Sequence, residues 1–154
     1  MKATARTTTP RRRATSREEI AFLDLWRTMD MLTRAPAQVL KVEDLSATQY
    51  NVLRILRGSP GGLACGEIGN RMITRDPDIT RLLDRLEERG LISRSRDTKD
   101  RRTVVARITP EGLRLLDRLD EPVQAVHRRQ LGHLGRERLR QLSALLAVCR
   151  RHLA

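Results

Sequence analysis

The sequence predicts a mainly α-helical fold with one small antiparallel β-hairpin. Apolar residues recur at intervals of three and four through most of residues 18–153, as they do on one face of an amphipathic helix. Over residues 91–108 the period falls to about two and β-branched residues accumulate, which favours strands. Leucine dominates the apolar residues, and the 154 residues include one Trp, one Tyr and one Phe, a composition typical of helices packed through aliphatic side chains.

The first helix is expected to end near Arg34, because a helix rarely continues into a proline such as Pro36. Ser16 can cap its start, and Glu18 and Glu19 oppose the positive end of the helix dipole. An apolar surface covering more than half of the circumference predicts contact with a second subunit as well as with its own domain. That surface comprises Ile20, Phe22, Leu23, Leu25, Trp26, Met29 and Leu32.

A linker is expected over residues 35–45, followed by a second helix over residues 47–57. Ser46 and Gln49 match the capping box, in which each side chain satisfies the other residue's backbone amide. The glycine-rich segment 58–62 then ends this helix.

A short strand and a short helix come next. Leu63 and Ala64 can pair with the hairpin as a third strand, and Cys65 is expected to cap a helix over residues 66–72. Ile68 and Met72 lie four residues apart and therefore share the inner face of that helix.

The fourth helix is expected to begin with Asp76 as its cap and Pro77 as its first residue, and to end at Gly90. Its inner stripe contains Ile79, Leu82, Leu83 and Leu86, and its polar face contains Asp78, Thr80, Arg81, Asp84, Arg85 and Glu88. Mixed charges are ordinary on a surface helix, so this face alone is equally consistent with simple solvation.

The hairpin carries a concentrated positive charge. Its cations are Arg94, Arg96, Lys99, Arg101, Arg102 and Arg107, against two acidic residues, Asp97 and Asp100. Such charge on a protruding ribbon is unfavourable unless an anionic partner neutralises it. A helix with a free polar face joined to this hairpin predicts a winged helix-turn-helix domain. Double-stranded DNA would take the helix in its major groove, and the tip of the small β-wing would reach phosphates or the minor groove.

Two further helices are expected after the hairpin. Thr109 can cap the first, which opens with Pro110 and Glu111, while Pro122 is expected to kink or interrupt it. Its stripe contains Leu113, Leu116, Leu119, Val123 and Val126. After a bend at residues 131–135, the last helix has the spacing of a packing seam, formed by Leu139, Leu142, Leu145, Leu146, Cys149 and Leu153. Apolar helical arms at both ends of the chain predict a homodimer.

The formal net charge of +12 is unevenly distributed. Residues 1–17 carry six basic and no acidic groups, and residues 91–109 have a net charge of +4. Both segments are therefore expected to interact with nucleic acid, the first as a disordered basic tail.

Other classes of protein are disfavoured by what the sequence lacks. It contains no apolar run long enough for a membrane span and no secretory signal, so a cytoplasmic, nucleoid-associated protein is expected. Its three histidines are scattered, and its two cysteines lack metal-site spacing, so neither a metal nor another cofactor is expected. No catalytic motif is present, and we predict that the protein is not an enzyme.

Three segments together resemble the MarR family of bacterial transcriptional regulators. Asp100–Arg102 leading into Ile108–Gly112 resembles the family's wing signature, D-x-R-x-x-x-V-x-L-T followed by x-x-G, with Ala106 and Ile108 in place of the valine and leucine. Residues 80–92 are similar to the recognition helix and first wing strand, and residues 45–50 resemble the start of the second helix.

The resemblance implies a homodimer of triangular outline whose first, fifth and sixth helices interlock. It divides the chain into the basic tail, 1–17, and a MarR-like domain, 18–154, in which a winged helix over 45–109 is joined to dimerisation helices over 18–35 and 110–153. Such regulators bind pseudo-palindromic operators, and many release DNA when a small phenolic or lipophilic compound enters the cleft between the arm and the winged domain.

Carried over by position, Pro77, Thr80 and Arg81 would enter the major groove, and Arg102 the minor groove. The complete set of predicted DNA-binding residues is Arg75, Pro77, Asp78, Thr80, Arg81, Arg85, Arg94, Arg96, Lys99, Asp100, Arg101 and Arg102. The candidate ligand-binding residues are Trp26, Met29, Tyr50 and His127.

Two alternatives compete with an operator-specific repressor. A nucleoid-type architectural protein would coat DNA without operator choice, as the basic tail would favour. The other alternative is a winged-helix module for protein interaction, and the six cations on the hairpin disfavour it because such a module does not require them. Cys65 could also sense oxidants, although a role in capping or packing is favoured because the first helix has no cysteine, unlike that of redox-responsive relatives.

Overall fold

A computed structural model describes residues 15–74, 76–97 and 102–153. The predicted fold class is confirmed, since these residues form six α-helices, a single 3₁₀ turn and a three-stranded antiparallel sheet. The elements are α1 (Arg17–Val42), α2 (Ala47–Arg57), β1 (Leu63–Ala64), α3 (Cys65–Arg71), α4 (Ile79–Glu88), β2 (Ile92–Arg96), β3 (Val104–Ile108), α5 (Pro110–Leu131), the 3₁₀ turn Gly132–Leu134 and α6 (Gly135–Leu153). None of the helices in the described ranges is long and apolar enough to cross a bilayer.

The expected end of α1 near Arg34 and the expected linker over residues 35–45 are wrong. The helix continues through Pro36 to Val42. A proline has no amide hydrogen, so the carbonyl of Leu32 loses its helical partner. The side chain of Gln130 in α5 replaces that partner, because its Nε2 donates to the Leu32 carbonyl oxygen at 3.1 Å. A hydrogen bond from a distant helix therefore offsets part of the destabilisation that the proline causes in α1.

Pro122 was expected to kink or interrupt α5, and an interruption is wrong because the helix is continuous from Pro110 to Leu131. Pro122 has no amide hydrogen to donate to the carbonyl of Arg118. Both residues are exposed, so water can supply the missing hydrogen bond. Of the predicted stripe, only Leu113 is exposed, and Leu115 is buried instead.

Two predicted helix caps are displaced. Asp78, rather than Asp76, caps α4, because its side chain accepts the amide of Arg81 at 3.2 Å. Asp76 instead accepts the amide of Asp78 at 2.9 Å, which places Pro77 in the preceding turn. The cap of α3 is Ala64, and Cys65 is the first residue of that helix.

The core lies within the winged domain, where α2, α3, α4 and α5 pack against the sheet. Strand order is β1-β3-β2, so β1 pairs with the hairpin as predicted, with Leu63 opposite Ala106. The largest fully buried side chains are Leu53, Leu56, Ile68, Leu83, Leu86, Ile92, Leu116 and Val52.

An ion pair joins α2 to α5 at the edge of this core. Arg57 donates from Nη1 and Nη2 to the two carboxylate oxygens of Asp120, at 2.7 and 2.9 Å. These hydrogen bonds hold the pKa of Asp120 below its ordinary value.

We expect Asp120→Asn to lower the melting temperature at pH 7, with a loss of about 1 kcal/mol because one charge-assisted hydrogen bond disappears. The pKa of Asp120 is depressed in the folded state, so its contribution is present above the unfolded pKa and is lost as pH falls through the folded pKa. Thermal melts at several pH values should show the deficit shrinking in acid. A deficit independent of pH would contradict this assignment.

The two helical arms leave wide apolar faces uncovered. In α1 only Leu40 is buried, and in α6 no residue is. Trp26 is 65% exposed and Leu145 66% exposed. The exposed apolar residues of the two helices include Ile20, Phe22, Leu25, Trp26, Met29 and Met31 in α1, and Leu142, Leu145, Val148 and Leu153 in α6.

Candidate DNA-binding surface

The outer face of α4 presents an exposed polar surface. Thr80, Arg81 and Arg85 are exposed. On the opposite face of the helix Leu82, Leu83 and Leu86 are buried. The N-terminus of α2 lies next to these arginines, so Ser46 and Thr48 border the same open cleft of about 370 Å³. The sequence did not identify these two hydroxyl residues as part of the surface, because their capping role already accounted for them.

The turn between α3 and α4 is held by a side chain of α2. Asn51 accepts the backbone amide of Ile73 through Oδ1 at 2.9 Å, and Met72 is buried just before the turn. The helix-turn-helix is thereby fixed to the core, and Pro77 and Asp78 are exposed at the start of α4. Arg75 lies outside the described residues.

The hairpin of β2 and β3 forms the wing. Asp97 donates its amide to the carbonyl of Thr103 at 2.8 Å, which continues the pairing of β2 and β3 toward the tip. Arg96 and Arg102 are exposed, and Arg107 donates to the hydroxyl of Ser95 across the strands at 2.8 Å. Predicted contacts at Lys99, Asp100 and Arg101 fall outside the described residues.

Arg94 is engaged within the protein. Its backbone amide and its Nε donate to the two carboxylate oxygens of Glu87, both at 2.8 Å, and its Nη2 donates to Asp84 at 2.5 Å. The same hydrogen bonds lower the pKa of Glu87 and raise that of Arg94. Arg94 therefore connects α4 to β2 of the wing through ion pairs within the protein. Its contact with DNA stays a prediction.

A second junction connects the end of α4 to the end of α1. Arg89 donates from Nη1 to the carbonyl of Asp44 at 2.5 Å and from Nη2 to that of Glu43 at 2.9 Å. The Glu43 carboxylate accepts two hydrogen bonds from Arg118 of α5, at 3.1 and 3.3 Å. One site thus joins the recognition helix, the N-terminal arm and α5. Sequence reasoning missed it because the partners are 45 or more residues apart.

The base of the wing is packed closely against α5. Thr109 caps α5 as predicted, and its hydroxyl also donates to the carbonyl of Gly90 at 2.7 Å. Gly112, in the first turn of α5, is buried against the backbone of Leu91. A Cβ at this position would lie 2.3 Å from the Leu91 carbonyl oxygen. This contact requires glycine.

A cavity of about 430 Å³ lies between α1, α2, α5 and the turn before α4. Of the candidate ligand-binding residues, Met29 and His127 line it. Trp26 instead packs edge-to-face on Phe22, with ring centroids 5.6 Å apart, and the hydroxyl of Tyr50 accepts a hydrogen bond from Arg54 at 3.0 Å. The structure therefore brings two of the four candidates together.

Comparison with known proteins decides the family. A sequence profile described as MarR family matches residues 45–104. The HTH-type transcriptional regulator PecS of Dickeya dadantii is 32% identical over 125 residues, which cover 80% of this chain and 75% of PecS. This chain belongs to the MarR family. It is accordingly a DNA-binding transcriptional regulator and not an enzyme.

Solved structures of other transcriptional regulators share the fold. The MarR transcription factor of Planctomyces limnophilus is 43% identical, with a TM-score of 0.67, and the match covers 88% of this chain and 99% of that one. The repressor CouR, solved bound to a 23-mer DNA duplex, is 30% identical with a TM-score of 0.76, and the match covers 86% of this chain and 93% of CouR.

The connection made by Arg94 leads to a testable prediction for this MarR-family regulator. We expect Arg94→Ala to release the wing from α4, so hydrogen exchange should accelerate in β2 and β3 and affinity should fall for every duplex. Arg96→Ala is the matched control, since it removes an exposed charge from the same strand and should weaken DNA binding without changing exchange. Exchange rates in the wing that are equal in the two variants would contradict the role of Arg94.

Proposed function

We propose that this MarR-family regulator is a homodimeric, ligand-responsive repressor of a pseudo-palindromic operator. The observation that supports the proposal best is the combination of exposed cations on α4 and the wing with uncovered apolar faces on both terminal arms. Each copy would then contribute one winged helix, over residues 45–109, and the arms would set the distance between the two.

The dimer is proposed to form through the N-terminal arm and residues 110–153. An isolated chain would leave large side chains of α1 and α6 in water, and a second copy related by two-fold symmetry can cover both faces at once. The two faces come from opposite ends of the chain, so each copy would contact its partner through two surfaces.

DNA contact is proposed to divide between two elements. Thr80, Arg81 and Arg85 project from α4 and would read base edges in the major groove, while Arg96 and Arg102 of the wing would neutralise phosphates or enter the minor groove. Two recognition helices related by a two-fold axis must meet successive major grooves, so half-sites should be about 10 bp apart, centre to centre.

Arg81→Ala is expected to cost roughly 1–3 kcal/mol on the operator and much less on random DNA, because it removes a base contact. Mobility shifts with both duplexes at several salt concentrations measure this difference. Arg114→Ala removes the same charge from the exposed surface of α5 and should change neither affinity. Equal losses on operator and random DNA would exclude Arg81 from base readout.

The ligand response is proposed to act through the cavity between the arm and the winged domain. A ligand wedged there would alter the spacing of the two recognition helices, and the Arg89–Glu43–Arg118 junction would carry that change from the arm to α4. The ligand can change the equilibrium between the two spacings only by the difference in its affinity for them. That difference is commonly about 1–3 kcal/mol, or roughly 5- to 150-fold in operator affinity.

Footprinting of the DNA upstream of the gene tests the proposed function. Protection of one short inverted repeat at low protein concentration is expected. Protection that spreads over all sequences in proportion to protein concentration would contradict operator choice.

A further inference from the structure

A carboxylate stands at the N-terminal end of α4, on the surface that carries the exposed arginines. Asp78 caps the helix and is exposed, and its Oδ1 accepts the amide of Arg81 at 3.2 Å. Among the residues that the structure describes, none forms a hydrogen bond or an ion pair with its Oδ2. The helix therefore holds one oxygen of this carboxylate, and the other is available to a donor outside the chain.

The neighbouring cations do not neutralise Asp78. Arg81 and Arg85 border the same open cleft as Asp76 and Asp78. Within the described ranges, no ion pair joins either guanidinium to either carboxylate. The surface thus presents cationic donors and an anionic acceptor side by side.

The position of Asp78 determines what it would meet on DNA. The N-terminal residues of a recognition helix are the ones that contact base edges in the major groove. A carboxylate placed there loses its hydration among phosphates of the same charge, which is unfavourable unless a base supplies a hydrogen-bond donor. Capping alone does not require the charge, because Asn and Ser cap a helix about as well as Asp does.

The four bases differ in the donors that they present in the major groove. Guanine presents two acceptors, and thymine presents one acceptor and a methyl group. Adenine has an amino donor beside its N7 acceptor, which would repel a carboxylate. The N4 amino group of cytosine is a donor with no acceptor beside it on the same base. Cytosine is therefore the base that fits a carboxylate best.

The spacing of Asp78 and Arg81 limits how far apart their bases can be. Residues three apart on one helix face have Cβ atoms about 5–6 Å from each other. Successive bases along one strand are about 3.4 Å apart. The two side chains can therefore meet one base pair or pairs one or two steps apart, with the arginine contacting guanine.

Resting on the proposed operator choice, we propose that Asp78 is a specificity-determining residue that selects cytosine in each half-site, within two base pairs of the guanine contacted by Arg81. Its Oδ1 stays with the Arg81 amide, and its Oδ2 accepts a hydrogen of the cytosine N4 amino group. The cap thereby holds the carboxylate in place before DNA binds.

Selection of binding sites from a random duplex library, followed by sequencing, tests this role on the full chain. The wild-type protein should select cytosine at one position of each half-site. Asp78→Asn should lower that preference at least about fivefold, the smaller end of the cost of one wrong base pair, and should enrich adenine, which asparagine contacts through N6 and N7. Because asparagine is an equally good cap, the variant should melt at the wild-type temperature.

Asp76→Asn is the matched control. Asp76 is half-buried and accepts the Asp78 amide at 2.9 Å, a hydrogen bond that the side-chain oxygen of asparagine can also accept. Both substitutions remove one negative charge from the same cleft. The control should keep the cytosine preference, so a change confined to Asp78→Asn cannot come from charge alone.

The outcomes separate base selection from the operator choice on which it rests. An inverted repeat with the same base preferences in the wild type and in Asp78→Asn would overturn the role of Asp78 and leave the proposed function in place. Equal loss of the cytosine preference in both variants would also overturn that role, because charge would then explain the change. A wild-type selection without any enriched repeat would contradict both the role of Asp78 and the proposed function.

Discussion

Gly112→Ala is expected to destabilise the protein by at least about 3 kcal/mol, the upper part of the range for overpacking a core. The added Cβ would lie 2.3 Å from the Leu91 carbonyl oxygen and 2.8 Å from Cγ1 of Ile108. Helix propensity alone would predict a gain of roughly 1 kcal/mol from this substitution. The steric effect is larger, because the nearest obstacle is backbone at the base of the wing and cannot rotate away.

Gly69→Ala is the matched control for this prediction. Gly69 lies in α3, where a Cβ would meet nothing within 4 Å, so alanine should leave stability unchanged or raise it by up to about 1 kcal/mol. Denaturant unfolding of the two variants measures the difference. A Gly112→Ala protein as stable as the wild type would show that α5 does not pack against the wing as the structure has it.

The second large effect is expected at the uncovered face of α6. Leu145→Glu should convert the protein to a monomer, because a charge would be buried without a partner in the proposed dimer interface. In a dimer, binding of one winged domain to its half-site holds the second winged domain at a high effective concentration near the other half-site. Loss of the dimer should therefore reduce operator affinity by roughly 10²- to 10⁴-fold.

Ser143→Glu provides the control for the dimer interface. Ser143 is exposed on the same helix, roughly 200° around the axis from Leu145, so it adds the same charge to a different face. Sedimentation and operator titration should distinguish the two variants. Full-strength operator binding by a monomeric Leu145→Glu protein would refute the proposed arrangement.

The elements that the sequence predicted best are those with local signals. Ser46 and Gln49 form the predicted capping box, and Thr109 caps α5. Gly90, where α4 was expected to end, follows the helix in the left-handed conformation that favours glycine. In each case the deciding hydrogen bond or backbone angle lies within a few residues along the chain, so its chemistry can be recognised in the sequence.

The predictions that failed depended on contacts between distant residues. Pro36 signals a helix end locally, and only Gln130, 98 residues from Leu32, supplies the missing hydrogen bond. In the segment Asp76-Pro77-Asp78 either carboxylate could cap α4. The path of the preceding turn places Asp78 at the cap position.

The sequence indicated only in part which of the predicted DNA-binding residues face solvent. Cations on the polar face of α4 and on the hairpin were correctly recognised as exposed at Arg81, Arg85 and Arg96. Arg94 belongs to the same charge pattern, but it forms ion pairs with Asp84 and Glu87 of α4. Charge counting does not distinguish a cation that faces solvent from one that is paired across two elements.

Native mass spectrometry of the protein on operator duplexes with different half-site spacings tests the central claim most directly. We predict two chains per duplex when the half-sites are about 10 bp apart, and loss of that complex when 5 bp, roughly half a turn, are inserted between them. A single chain bound per duplex, or a two-chain complex that tolerates the insertion without loss, would contradict a rigid dimer with two recognition helices spaced for one turn of DNA.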